Sequence, residues 1–156
     1  MASEFEESNL QQTPASFSDE VPLPDQVVGS LATWKELLRD EELRCAELGI
    51  GAAILSIGVS SGDDAGVVRT ICTALEPTDR VCVLRTGEYG VLVIPVDGAR
   101  AAEERANQVY DTLVEAKVAA SMGWALRHDG HGLFHAAAQA DAAMLRSGPH
   151  KIDLTD

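Results

Sequence analysis

At 156 residues, 46% hydrophobic and 24% charged, the chain has the makeup of one globular domain with its own core. Its formal net charge of −13 argues against nucleic acid, since phosphate binding draws on clustered Lys and Arg, and it weighs against a polyanionic nucleotide unless a local nest or a metal intervenes. No apolar run approaches the ~20 residues of a membrane span, and no basic-then-apolar leader opens the chain, so no membrane contact and a cytoplasmic location are expected.

Residues 1–24 are rich in Ser, Glu, Gln and Pro. Residues 1–30 carry six acids and no Lys or Arg, leaving −7 for the remainder. That composition predicts a solvated, disordered acidic tail over 1–24. Phe5, Leu10 and Phe17 are the anchors it offers if it instead engages a partner. A helix is predicted over Leu31–Leu48, with Leu31, Trp34, Leu38, Cys45 and Leu48 near 3.6-residue spacing, stopped by Gly49 and Gly51. Ala52–Val59 is a continuous apolar run of strand length, as in a strand covered on both faces. "SSGDD" supplies a turn and an N-cap. The helix that follows places Val67, Val68, Ile71, Cys72 and Leu75 on one side, with Pro77 beyond its end.

Two apolar runs, Val81–Leu84 and Val91–Ile94, flank the polar insert Arg85-Thr86-Gly87-Glu88-Tyr89, which reads as strand, turn, strand. Gly98–Ala116 is a long amphipathic helix with Ala102, Ala106, Val109 and Leu113 inward. Lys117–Ala125 is a strand, "RHDGHG" a loop, and Leu133–Arg146 an Ala-rich helix presenting Leu133, Ala137, Ala140 and Met144, ended by Gly148-Pro149. The centre of this order is β-α-β-β-α-β, the split ferredoxin-like arrangement, and predicts an α+β sandwich: a mixed sheet with helices packed on it. One domain over 25–148 is expected, with a C-terminal tail over 149–156.

Several signals carry no chemistry by themselves. Cys45, Cys72 and Cys82 are far apart, form no CxxC and lie among apolar residues, so buried thiols are expected. Trp34 and Trp124 read as core or interface aromatics. His128, His131 and His135 straddle a loop and a helix start with no Cys near, which favours a solvated loop over a zinc site. "SSGDDAG" lacks the Lys and glycine spacing of a phosphate loop.

The last strand and helix are more specific. Ser121-Met122-Gly123, then Ala140-Asp141-Ala142-Ala143-Met144-Leu145, resemble the S-I-G-V strand and A-D-x-A-M-Y helix of GGDEF domains, the diguanylate cyclase family. Asp79-Arg80-Val81-Cys82 and Glu88-Tyr89-Gly90-Val91-Leu92 align with the family's D-x-V-A-R-x-G-G-D-E-F-A-V-L-L-P hairpin. "DQVVGSLATW" resembles its D-x-L-T-G-L-x-N-R opening segment. The resemblance spans about residues 25–148.

Diguanylate cyclases, as the resemblance implies, join two GTP molecules into cyclic di-GMP, using divalent metal held by the first Asp of a D-x-D strand motif and by the acid at the third signature position. Here D-x-D reads Ser56-Ile57-Gly58, and the third signature position is Gly87. Arg85 and Thr86 replace the signature glycines. The guanine-pocket segment has shrunk to Val59-Ser60-Ser61, with Gly62-Asp63 as a remnant nucleotide contact. Of the inhibitory R-x-x-D only Asp79 remains, with Glu76 in place of the Arg. The basic residue after A-M-Y-x-A is Gly148. A shifted register, in which Arg85-Thr86-Gly87 stands for the R-x-G of the longer motif, would put Glu88 at the metal-binding acid but leaves Ser56 and Gly58 without carboxylates.

The resulting expectation is a degenerate GGDEF domain with no catalytic residue, metal or cofactor. It would act as a signalling or regulatory module that binds a protein partner or a second copy through the hairpin, with Arg85, Glu88 and Tyr89 exposed. Two alternatives stay open: a non-catalytic receptor for GTP or cyclic di-GMP, and a cyclase with atypical residues.

Overall fold

The computed structural model describes residues 22–147 and the backbone of 151–154. The elements run β1 (Val27–Val28), α1 (Leu31–Leu48), β2 (Ala53–Val59), α2 (Asp64–Cys72), β3 (Arg80–Arg85), β4 (Glu88–Val93), α3 (Gly98–Glu115), β5 (Ala120–Leu126), α4 (Leu133–Ser147) and β6 (Lys151–Leu154). They build one six-stranded sheet in the order β1-β3-β4-β2-β5-β6. Its four central strands are antiparallel, while β1 and β6 join the edges in parallel, so the sheet is mixed. The α+β class and the β-α-β-β-α-β core expected from the sequence are both present.

Alternation along β2 assigns the two faces. Ala53, Leu55 and Ile57 point toward α2 and α3 and join Val68, Ile71, Ala106, Val109 and Leu113 in one core. Ala52 and Ile54 point the other way and pack with Trp34, Leu38, Cys45, Leu133, Ala136 and Ala140 of α1 and α4. A strand sandwiched in this way reads as a continuous apolar run. α1 begins where the Ser30 side chain accepts the Thr33 N–H at 3.1 Å, and α2 where Asp63 accepts the Gly66 N–H at 2.9 Å. α1 stops at Gly49, which takes a left-handed conformation.

Four boundaries and faces differ from expectation. The tight turn between β3 and β4 is present, but both strands run further into the polar insert than their apolar runs suggest, and only Thr86-Gly87 turns. Leu31 and Leu48 sit at the ends of α1 beyond the sheet's cover and are exposed. Lys117–Ala119 lie before β5 rather than in it. Lys151–Leu154, expected in a tail, pair with Ser121–Trp124 of β5 as a sixth strand. The acidic stretch 1–21 and Gly148 lie outside the described residues.

α4 lies unusually close to the sheet. Gly90 on β4, Ser56 on β2 and Gly123 on β5 are directly opposite one another, a lane of small residues across three strands. A Cβ at Gly123 would stand 2.4 Å from both the Ala140 carbonyl and the Met144 amide, so only glycine admits the helix backbone there. Ala136, Ala140 and Ala143 form the helix side of this contact and are fully buried. Trp34 covers the Gly90 end.

A second lock fixes the start of α4. Arg127 donates from Nε and Nη2 to the two Glu42 carboxylate oxygens of α1, each at 2.8 Å, and Glu42 also accepts the Leu133 N–H at 2.9 Å. These bonds to Arg127 hold the Glu42 carboxyl below its ordinary pKa.

Two measurements test these contacts. Gly123→Ala is expected to cost about 3 kcal/mol of stability by overpacking, read as a lower urea midpoint. Because the folded-state pKa of Glu42 is depressed, its stabilisation is present above the unfolded carboxylate pKa and is lost as pH falls through the folded value. The stability gap between the native chain and Glu42→Gln is therefore expected to be full near pH 7 and to shrink below about pH 4.

Candidate functional site

The β3–β4 turn, the end of β2, the start of β5 and the last turn of α4 surround a cleft of about 300 Å³. Its lining includes Gly58, Val59, Thr86, Gly87, Glu88, Ser121, Met144 and Leu145. Three of the residues singled out in the hairpin (Thr86, Gly87 and Glu88), the last residue of Ser56-Ile57-Gly58 and the end of the "AAML" helix thus meet at one place. The pairing explains why: Gly58 stands opposite Glu88 on one side and Ser121 on the other.

The turn is rigidly held. Gly87 takes φ 80°, a left-handed conformation that suits glycine, beside a register shift in β3, and a Cβ there would meet the Val59 carbonyl at 2.6 Å. The Gly87 carbonyl accepts the Val59 N–H at 2.8 Å. Asp64, in the first turn of α2, accepts from the Gly87 N–H at 3.2 Å and from the Tyr89 hydroxyl at 2.6 Å through the same oxygen. One carboxylate therefore clips the hairpin to the helix.

Tyr89 is 1% exposed. This corrects the expectation that it is a surface contact: the alternation of β4 turns its ring into the α2/α3 core and leaves only the hydroxyl to find Asp64. Burial and the neighbouring carboxylate push its pKa far up, so it remains a donor. Arg85 and Glu88 do stand at the surface, where Arg85 Nε and Glu88 Oε1 form an ion pair at 3.1 Å. A solvated pair of this kind adds little stability.

Ser56 and Gly58 face α4. The Ser56 hydroxyl donates to Asp141 Oδ1 at 2.5 Å. Any Cβ at Gly58 would lie 3.2 Å from both Met144 Sδ and Ser121 Oγ. A second carboxylate there would need the Met144 and Ser121 side chains to give way. The divalent cation implied by the family resemblance therefore does not fit these residues: Ser56 is neutral and engaged, Gly58 and Gly87 offer no side-chain ligand, and Glu88 is left as the one carboxylate on the turn. Among the described residues no group of three or more His, Cys, Asp or Glu is arranged to hold a metal. That includes His128, His131 and His135; the last two stack with ring centroids 4.8 Å apart.

The remaining positions are separate from the cleft. Gly62 and Asp63 line a depression of about 310 Å³ with Ser61, Thr70 and Lys117, and the Asp63 carboxylate caps α2. Asp79 is fully buried. It accepts the Ile94 N–H at 3.1 Å, the Glu76 N–H at 2.7 Å and a hydrogen bond from Arg105. As an inhibitory-site remnant it would have to face a ligand; instead it ties β3 to β4 and receives a guanidinium from α3. Asp64, Arg105 and the pairing role of Asp141 were missed by sequence reasoning. All three act across 23 residues or more, and nothing in local spacing marks them.

Neither a family model nor a curated protein sequence matches the chain. Solved structures do. The GGDEF domain of PA1120 (TpbB or YfiN) from Pseudomonas aeruginosa superposes with a TM-score of 0.70 at 17% identity, covering 83% of this chain and 91% of that one. The chain has the GGDEF-domain fold. The active GGEEF domain of a diguanylate cyclase from Vibrio cholerae gives a TM-score of 0.65 at 14% identity, over 78% and 96% of the two chains. Diguanylate cyclase SiaD from Pseudomonas aeruginosa, solved in complex with its activator SiaC, gives 0.69 at 21% identity, over 82% of this chain and 59% of that one. No helix among the described residues is long and apolar enough to cross a membrane.

The clip is testable on its own. Asp64→Ala is expected to leave the GGDEF-type core folded but to raise amide exchange at Gly87 and Val59 at least tenfold, measured by hydrogen exchange. Tyr89→Phe, which removes one of the two bonds, is expected to cost about 1 kcal/mol.

Proposed function

We propose that this chain is a GGDEF-fold module without cyclase activity, which acts in signalling or regulation by binding a protein through the cleft beside the β3–β4 turn. The observation that carries this reading is the pair of contacts made by Ser56 and Gly58. Joining a 3′-hydroxyl to an α-phosphate needs metal to neutralise phosphate charge, and metal needs carboxylate oxygens. Ser56 supplies none and its hydroxyl is committed to Asp141. The space beside Gly58 is taken by Met144 and Ser121.

The cleft's other properties suit a protein partner. Its lining carries Leu145, 77% exposed where the family helix has Tyr, together with Thr86 and Glu88, and the Arg85 that pairs with Glu88 stands on the same turn. An exposed apolar side chain on the same face as a clipped turn that carries an Arg, a residue enriched at interfaces, suits a protein partner. SiaD, which shares the fold, is solved with a protein activator. Nucleotide capture at Gly62-Asp63 is weaker, because the Asp63 carboxylate is engaged as the cap of α2.

Incubation with GTP and Mg²⁺ or Mn²⁺, read by chromatography, is expected to give no cyclic di-GMP; product that vanishes in Glu88→Ala overturns the reading. A protein identified by mass spectrometry on the intact chain is expected to bind at least tenfold more weakly to an Arg85→Ala/Leu145→Asp variant. Equal binding would move the interface elsewhere.

A further inference from the structure

A groove of about 220 Å³ lies between α1 and α4 above the end of β3, away from the cleft. Its floor is Trp34, Leu38 and Leu84, and its walls are Leu31, Phe134 and Ala137. Leu31 and Phe134 are 43% and 46% exposed, and among the exposed large apolar side chains of the described residues these two share a groove. The trough is small and open, with room for one or two apolar side chains.

The rim supplies the sign of an occupant. Lys35 and Arg85 stand on it. Its one acid, Asp141, already accepts a hydrogen bond from Ser56, and the partner of Arg85 is a solvated Glu88. On a domain whose remainder carries −7, two cations beside an apolar floor favour an acidic segment with apolar anchors.

Such a segment precedes the described residues. Residues 1–21 hold Glu4, Glu6, Glu7, Asp19 and Glu20 and no Lys or Arg. Phe5 lies among the first three acids, with Leu10 five positions on. The tether allows the contact. Leu31 is nine residues beyond Pro22, hence no more than about 30 Å from it along any path. Leu10 and Phe5 precede Pro22 by 12 and 17 residues, and flexible chains of that length span about 20 Å on average and about 40 Å or more when extended.

We propose that residues 4–10 of the same chain dock in the α1/α4 groove, with Phe5 and Leu10 on its apolar floor and Glu4, Glu6 and Glu7 facing Lys35 and Arg85. Arg85 belongs to the β3–β4 turn, so the docked segment covers one contact residue of the proposed protein-binding cleft. The tethered segment needs only modest intrinsic affinity, since its effective concentration is on the order of millimolar.

A nitroxide attached through Ser8→Cys in the intact chain tests this. Cys45 and Cys82 are buried, and burial pushes all three native thiols up, so the new thiol is the reactive one. The amide signals of Leu31, Lys35, Phe134 and Ala137 are expected to lose at least two-thirds of their intensity relative to the reduced label. Phe5→Ala/Leu10→Ala is expected to restore them fully, and Lys35→Glu to restore them in part. The absence of selective loss overturns the proposal, as does loss that survives Phe5→Ala/Leu10→Ala. Loss in an isotope-labelled, spin-free chain mixed with spin-labelled chains overturns it too, since the occupant would then be a second copy.

Discussion

The approach of α4 to the sheet constrains everything else in this molecule. It is possible because Gly90, Ser56 and Gly123 stand side by side across three strands and because the facing helix positions are alanines. Dispersion contacts between backbone and small side chains gain with every ångström of approach, and a single added methyl at Gly123 would meet main-chain atoms that have nowhere to move. Once the helix is seated, its register places Asp141 over Ser56, Met144 over Gly58 and Leu145 at the mouth of the cleft. The character of the site follows from packing more than from the turn.

That packing also bears on charge. An acid at position 56 would stand against the Asp141 carboxylate at the range where a 2.5 Å hydrogen bond now runs. Two carboxylates so close cannot both ionise unless a cation lies between them or they share a proton. A serine hydroxyl removes the conflict by donating. The present pair is electrostatically complete without a metal, and a second carboxylate at Gly58 would need the Met144 and Ser121 side chains to give way.

Local patterning made most of the fold legible, and the failures have physical causes. The inward faces of α3 and most of α4 follow from 3.6-residue spacing, because those helices lie on the sheet for their whole length. Leu31 and Leu48 fit the same period in α1 yet are exposed, since periodicity cannot tell where a helix overruns its sheet. The hairpin looked like a five-residue polar insert because composition separates polar from apolar and not paired from unpaired; Arg85 and Glu88 are polar and still face one another across the strands. Tyr89 was assigned to the surface on the strength of its neighbours, although period-2 alternation from Val91 and Val93 points it inward. The small residues at Ser56, Gly58 and Gly87 were readable as missing ligands. That Asp64 meets Gly87, Asp141 meets Ser56 and Arg105 meets Asp79 was not, because each contact closes a loop of 23 residues or more.

The clip between Asp64 and the turn gives the proposed interface its physical basis. A loop that must be ordered on binding loses conformational entropy at each freed residue, about 1–2 kcal/mol per residue for the backbone alone. Here Gly87 is fixed by three constraints before any partner arrives: its own left-handed φ, the Val59 N–H and the Asp64 carboxylate. The Tyr89 hydroxyl holds that carboxylate in place and, with its pKa pushed up, keeps its proton at any physiological pH. Arg85 and Glu88 therefore project from a base that does not rearrange, and their mutual ion pair is weak enough to yield to a partner's charges. A turn that has to close around a nucleotide and open again would gain nothing from such a clip. A turn that presents Arg85 and Glu88 to a protein partner loses less conformational entropy on binding because of one.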